Sequence, residues 1–343
     1  MEQDLLNHIS EVYNLSSLIY VGSSAQGISA HNAIVKTTGG TFFFIKNYKK
    51  TDADRRENSE AVEIFVSENS SLPVVLPLKT ASNQAHYIID EKMYAVFPYL
   101  EHKEYKPELL EEKIKLAESL GATLGTIHSI SMKVPINKSI QPIVSWIVPT
   151  KEKSIENLEK IIETINNKKV HDEYDKKALN FVDLKISLLK ESSFRGRGAT
   201  FETICHGDFH KGNILFDEKG SIIGICDWDI SGRANPYLEF IRSFNMCVIR
   251  RDFEHYQEKG EYSKAFCAGY LKNCGFEFDF NELEYAIEWW YQLTLSISWP
   301  MSDHYYLDHT KTDASLDSEI LKVSFLKENR AQLLEYIRSC IQN

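Results

Sequence analysis

Apolar positions near the start recur at helical spacing: Leu5, Leu6, Ile9, Val12 and Tyr13 predict a short amphipathic helix over residues 2–14. The pattern then changes to short β-branched or aromatic runs at 18–21, 33–35 and 42–45, the last two separated by Thr37-Thr38-Gly39-Gly40, a hairpin signal. Asp54 followed by Glu57 fits a capping box, and Ala61, Ile64, Phe65 and Glu68 predict a helix that Pro73 ends. Strands at 87–89 and 94–97 would complete a small antiparallel sheet with one helix against it. From Pro107 the spacing is mostly helical, with one long helix through Leu109, Ile114, Leu120, Leu124 and Ile127, and charged helices at 152–166 and 173–190. Residues 133–150 read as loop, and two short strands at 214–216 and 222–225 flank the turn Asp217-Glu218-Lys219-Gly220. The fold class is therefore α+β, with a strand-rich lobe over 1–100 and a mainly helical lobe over 101–343.

Composition narrows the function classes. The 343 residues are 43% hydrophobic and carry a net charge of -10, which excludes a sequence-independent nucleic-acid binder and an anionic-membrane binder. No run of about 18 apolar residues occurs, and the acidic start lacks the regions of a signal peptide, so a cytoplasmic chain is expected. Six cysteines without Cys-x-x-Cys spacing predict reduced core thiols rather than a disulfide framework or a zinc ribbon. Residues 201–343 hold 14 basic against 23 acidic side chains, a balance of -9.

The richest chemistry lies in Cys205-His206-Gly207-Asp208-Phe209-His210-Lys211-Gly212-Asn213, followed after the hairpin by Asp227-Trp228-Asp229. Closing the hairpin brings the segment before Ile214 near the segment after Ile225, so that Asp208, Asn213 and Asp227 converge. A carboxylate with an amide oxygen suits Mg2+, a hard cation that shares its oxygen ligands with substrate phosphates, and Asp208 is then left as a base. A competing reading takes His206-x-Asp208-x-His210 as part of a metal-hydrolase set, but no second histidine cluster completes it. The bland reading is a polar hairpin loop with incidental acids.

These residues resemble the aminoglycoside phosphotransferase family of kinase-like small-molecule kinases, whose pattern is His-Gly-Asp, His-x-Gly-Asn, then an Asp after a hairpin. The resemblance is tight over about 204–244, with Glu239 standing where the family commonly has Asp. It implies a two-lobed protein-kinase-like fold with ATP in the cleft, Asp208 as catalytic base, Asn213 and Asp227 holding Mg2+, and His206 and His210 as scaffold. It also implies a nucleotide lysine, for which Lys46 at the end of a strand is the candidate. Glu57, Glu60 and Glu63 compete to pair with Lys46; Glu60 is chosen, because the capping box would occupy Glu57 and Glu60 lies one turn before Ile64.

Ser23 and Ser24, in Gly22-Ser23-Ser24-Ala25-Gln26-Gly27, stand where hydroxyls and backbone amides would cover phosphates, although an ordinary hairpin loop explains the stretch equally well and no P-loop run occurs. Phe97, Tyr99 and Leu100 resemble the family's adenine-contacting hinge, and His128 reads as a core histidine. The expected activity is transfer of the ATP γ-phosphate to a hydroxyl of a small molecule, an amine-bearing antibiotic of aminoglycoside or amicoumacin type or a metabolite. The rival is a catalytically silent kinase-like structural or binding protein of spore-coat type. A protein kinase is disfavoured because neither Asp-Phe-Gly nor Ala-Pro-Glu is found.

Overall fold

The computed structural model describes residues 2–23, 32–102, 105–197, 201–250, 252–307 and 310–342. They divide into two compact units, one formed by 1–109, 126–142 and 203–233, the other by 110–125, 143–202 and 234–343.

The first unit is built on a five-stranded antiparallel sheet of order β1-β2-β3-β5-β4, from β1 (Leu18–Ser23), β2 (Ala33–Thr37), β3 (Phe42–Lys49), β4 (Tyr87–Ile89) and β5 (Lys92–Pro98). The expected turn joins β2 to β3, where the Gly40 amide donates to the Thr37 carbonyl. Strand alternation on β3 decides which side chain goes where. Phe43 and Ile45 join a core with Val35, Val96 and the apolar face of α1 (Gln3–Val12), through Leu6 and Ile9. Lys46 and Tyr48, of the opposite parity, stand with Ala95 and Met93, their register partners on β5. The sheet thus has an α1 face and a Lys46 face.

Helix α2 (Ala53–Asn69) follows β3. Its N-cap is Asp52, without a side-chain cap, so the capping box expected of Asp54 and Glu57 is not formed: Asp54 already lies inside the helix. The hairpin of β6 (Ile214–Phe216) and β7 (Ile222–Ile225) also belongs to this unit. It is anchored to the chain after α2, since the Ile225 amide donates to the Pro73 carbonyl and the Val75 amide to the Ile225 carbonyl.

The second unit is helical. It contains the first part of α3 (Leu110–Lys133), then α4 (Lys151–Asn166), α5 (Glu173–Glu191), α6 (Pro236–Phe244), α7 (Gly260–Asn273), α8 (Phe280–Ser296), α9 (Met301–Leu307) and α10 (Leu316–Gln342). The small residues of α3 permit close helix approach: a Cβ on Gly121 would fall 2.0 Å from the Phe266 carbonyl oxygen, and one on Gly125 2.5 Å from that of Tyr270. Phe240, Phe244, Phe266 and Tyr270 interlock as an aromatic core between α6 and α7. Among the described residues no helix is long and apolar enough to cross a membrane.

One group in this unit sets a pH dependence. Lys185 on α5 is fully buried, donates to the Ile297 carbonyl at 2.7 Å and lies over the Phe181 ring. Burial pulls its amine down from the usual 10.5 to about 7, against the pull of Glu319. Between those values the unfolded chain holds a proton that the folded chain has released, so the Lys185 contribution to stability rises with pH from about 7 to about 10. In urea unfolding across this range, the stability of the unchanged protein relative to Lys185→Met should rise with pH; a difference that stays constant would clear Lys185 of the effect.

Candidate active site

The chain from Cys205 to Asn213 is held by its own histidines. His206 Nδ1 accepts the Asp208 amide at 3.3 Å, which leaves its proton on Nε2 to donate to the Cys226 carbonyl at 3.0 Å. The imidazole is fully buried, with its ring 4.4 Å from that of Trp228. It therefore ties the two sides of the hairpin together. Gly207 has φ of 89°, and a Cβ there would fall 2.3 Å from the Ile230 carbonyl oxygen, so both conformation and space demand glycine before Asp208.

Asp208 is half-buried, with Oδ2 3.3 Å from His210 Nε2. His210 Nδ1 accepts the Gly212 amide at 2.9 Å, so its proton resides on Nε2 and is offered to Asp208. Asn213 donates Nδ2 to the Asp208 main-chain carbonyl at 2.9 Å, leaving its Oδ1 as an acceptor or ligand. Directly across the hairpin, the Cys226 amide donates to the Asn213 carbonyl at 3.0 Å. The next residue, Asp227, has φ of 64°, a left-handed conformation uncommon for a side chain other than glycine and concentrated at functional sites. Its carboxylate is 45% exposed.

Lys46 Nζ donates to Asp227 Oδ1 at 2.7 Å and to Asp229 Oδ2 at 2.6 Å. Asp229 also accepts the Tyr48 hydroxyl at 2.9 Å and Arg56 Nη1 at 3.4 Å. Burial alone would raise the Asp229 carboxyl, but Lys46, Arg56 and Tyr48 outweigh it and hold it below the usual carboxylate range. Burial alone would likewise discharge Lys46; Asp229 and Asp227 keep its ammonium protonated well above the usual lysine value. Arg56 in turn forms an ion pair with Glu63, both almost wholly buried.

The expected Lys46–Glu60 pair is not formed. Glu60 pairs with Lys79 instead, and the buried acid of α2 is Glu63, which Arg56 has claimed. Ser23 is the exposed last residue of β1; Ser24 lies outside the described residues. Phe97 pairs in register with Phe44, and its ring lies 5.8 Å from the Arg56 guanidinium. The Tyr99 amide donates to the Phe42 carbonyl, and Leu100 packs close to Gly224 on β7. The structure thus brings Lys46 and Asp227 into contact, and joins Asp208 to Asn213 by hydrogen bond. Sequence reasoning gives no role to Tyr48, Arg56 or Asp229, and weighs Glu63 only as a partner of Lys46, whereas the structure pairs it with Arg56; the even spacing of Lys46 with Tyr48 and of Asp227 with Asp229 is the available signal.

Asn213 Oδ1 and the exposed Asp227 carboxylate are hard oxygen donors on facing sides of one hairpin, a donor set that fits Mg2+ and does not suit a soft or thiolate-bound metal. Lys46 places a cation on the same Asp227 carboxylate.

Residues 24–280 match the model of a family described as the phosphotransferase enzyme family. No curated protein matches the chain by sequence. Among solved structures, the amicoumacin kinase hAmiN, in complex with AMP-PNP, Ca2+ and Ami, is similar at a TM-score of 0.62 and 15% identity over 97% of each chain. Spectinomycin phosphotransferase APH(9)-Ia, in complex with ADP and spectinomycin, is similar at 0.62 and 16% identity over 100% of this chain and 99% of that one. A microcompartment-associated aminopropanol kinase follows at 0.57 and 15% over 99% and 98%. Likeness of this extent establishes the fold: a protein-kinase-like α+β arrangement, with its antiparallel sheet in the N-terminal part and helices in the C-terminal part.

Proposed function

The chain belongs to the phosphotransferase enzyme family, and from that premise we propose that it moves the γ-phosphate of ATP to a hydroxyl of an amine-bearing small molecule, an antibiotic of aminoglycoside or amicoumacin type or a related metabolite. The observation that carries the reading is the pairing of Lys46 with Asp227, just after the hairpin whose preceding loop bears Asp208 and Asn213. Phosphoryl transfer asks mainly for in-line positioning and neutralisation of charge.

Asp208, oriented by the His210 proton, accepts the proton of the acceptor hydroxyl. Lys46 binds phosphate oxygen, and Phe97, Tyr99 and Leu100 border the adenine. Asn213 and Asp227 would hold Mg2+, which supplies neutralisation of the phosphate charge. Ser23 and Ser24 are assigned to the phosphate cover, and the reaction to the cytoplasm.

Support for an amine on the acceptor comes from the balance of -9 over residues 201–343, which attracts cations, and from the similarity to kinases whose names include amicoumacin and aminopropanol. The test is ATP consumption against a panel of aminoglycosides, amicoumacin-type compounds, amino alcohols and neutral or anionic alcohols, with and without Mg2+. Turnover that needs both Mg2+ and an amine-bearing acceptor is expected. A preference for neutral or anionic alcohols would remove the amine, and no turnover with any acceptor would remove the kinase.

A further inference from the structure

The ammonium of Lys46 is shared between two carboxylates of one tripeptide, and the two are held very differently. Asp229 is 20% exposed and fixed from two elements, by the Tyr48 hydroxyl of β3 and by Arg56 of α2, itself anchored on Glu63. Asp227 is 45% exposed and stands on left-handed backbone. Of the α2 acids weighed as partners of Lys46, Glu63 is engaged by Arg56 and Glu60 by Lys79.

We infer that Asp229, in place of a helix glutamate, is the positioning residue that holds Lys46 for the nucleotide, and that the Lys46–Asp227 contact is the one a nucleotide phosphate takes over. This rests on the functional reading above. An ammonium has three protons, and Asp229 can keep one while another changes partner. The Asp227 carboxylate occupies the place of an anion on Lys46, so bare nucleotide must compete with it. A divalent cation drawn to Asp227 competes with the ammonium for the same oxygens, because two cations on one carboxylate repel. Cation and phosphate binding are therefore coupled through Lys46, and by linkage each strengthens the other.

The experiment is calorimetric titration of ADP, in EDTA and in Mg2+, into the unchanged protein and into Asp229→Asn, Asp227→Asn, Lys46→Met and Lys46→Met/Asp229→Asn. Asp229→Asn should weaken ADP binding in both buffers by roughly tenfold, the scale of a charge-assisted contact, and by less than about twofold when Lys46 is already Met. Asp227→Asn should tighten ADP in EDTA by severalfold and abolish most of the gain from Mg2+. Equal losses from Asp229→Asn in both backgrounds would mean that the acid supports the fold rather than the lysine. Unchanged or weaker ADP binding by Asp227→Asn in EDTA would overturn the exchange. If Asp229→Asn melts below the assay temperature, Tyr48→Phe takes its place; it removes one hydrogen bond from Asp229 and should weaken ADP only where Lys46 is intact. Failure of the unchanged protein to bind ADP in either buffer sinks the functional reading, whereas normal binding that is indifferent to Asp229→Asn and Tyr48→Phe sinks this inference alone.

Discussion

Replacing Asp208 with Asn should lower kcat by roughly two to four orders of magnitude, the range expected for loss of the proposed general base, and leave ADP affinity within about twofold. The substitution keeps the size of the side chain and removes its charge and its capacity to take a proton. The main-chain anchors of the loop do not use that charge. Asn213 donates to the main-chain carbonyl of residue 208, and His206 accepts its main-chain amide, so the loop stays tied when the carboxylate goes. Lys46 and Asp229 bond each other without using Asp208, which keeps the proposed nucleotide contacts separate from the proposed base. Single-turnover kinetics with saturating ATP, beside ADP calorimetry and a urea midpoint, check all three expectations. Turnover near that of the unchanged protein would strip Asp208 of the role, and a lowered midpoint would assign the loss to folding.

The local pattern made much of the fold readable. Strand and hairpin signals placed the sheet because β-branched and aromatic runs at 33–35 and 42–45 flank a glycine turn, and the structure extends these strands to Thr37 and Lys49. The hairpin at Ile214–Phe216 and Ile222–Ile225 was legible for the same reason, and with it the approach of Asn213 to Cys226. The partner of Lys46 was not. The position of Glu60 on the helix relative to Ile64 favours it by an argument from one element, whereas Lys46 of β3 meets Asp227 and Asp229 after β7. Glu63 is 1% exposed and meets Arg56 seven residues earlier, a pair that periodicity permits but does not select. Asp229 and Asp227 reach the same ammonium from a tripeptide whose central Trp228 is buried and donates its indole N–H to the Ile225 carbonyl, and whose Asp227 is left-handed. No propensity in the tripeptide announces that turn.

The Arg56–Glu63 pair carries the second large effect, on stability rather than on chemistry. Arg56→Met should destabilise the protein by about 3–5 kcal/mol, because it leaves a buried carboxylate without its cation. Burial already pushes the Glu63 carboxyl up to about 7 against the opposing pull of Arg56. Once Arg56 is gone only the burial remains, and the carboxyl takes up a proton more readily still. The loss should therefore be larger at pH 8 than at pH 6, since the lower pH lets Glu63 become neutral inside the unit instead of remaining an unpaired charge. A double substitution, Arg56→Met with Glu63→Leu, removes the charge problem together with both partners and should lose less than Arg56→Met alone, as replacement of buried ion pairs by apolar residues of similar volume does. Arg56 also touches Asp229, so the double variant should recover stability without fully recovering ADP affinity. Urea unfolding at the two pH values, with ADP calorimetry on the double variant, reads both quantities. Equal destabilisation by the single and double substitutions would mean that the charge of Glu63 is not the source of the loss, and the cost of Arg56→Met would then be that of the Arg56 guanidinium over the Phe97 ring.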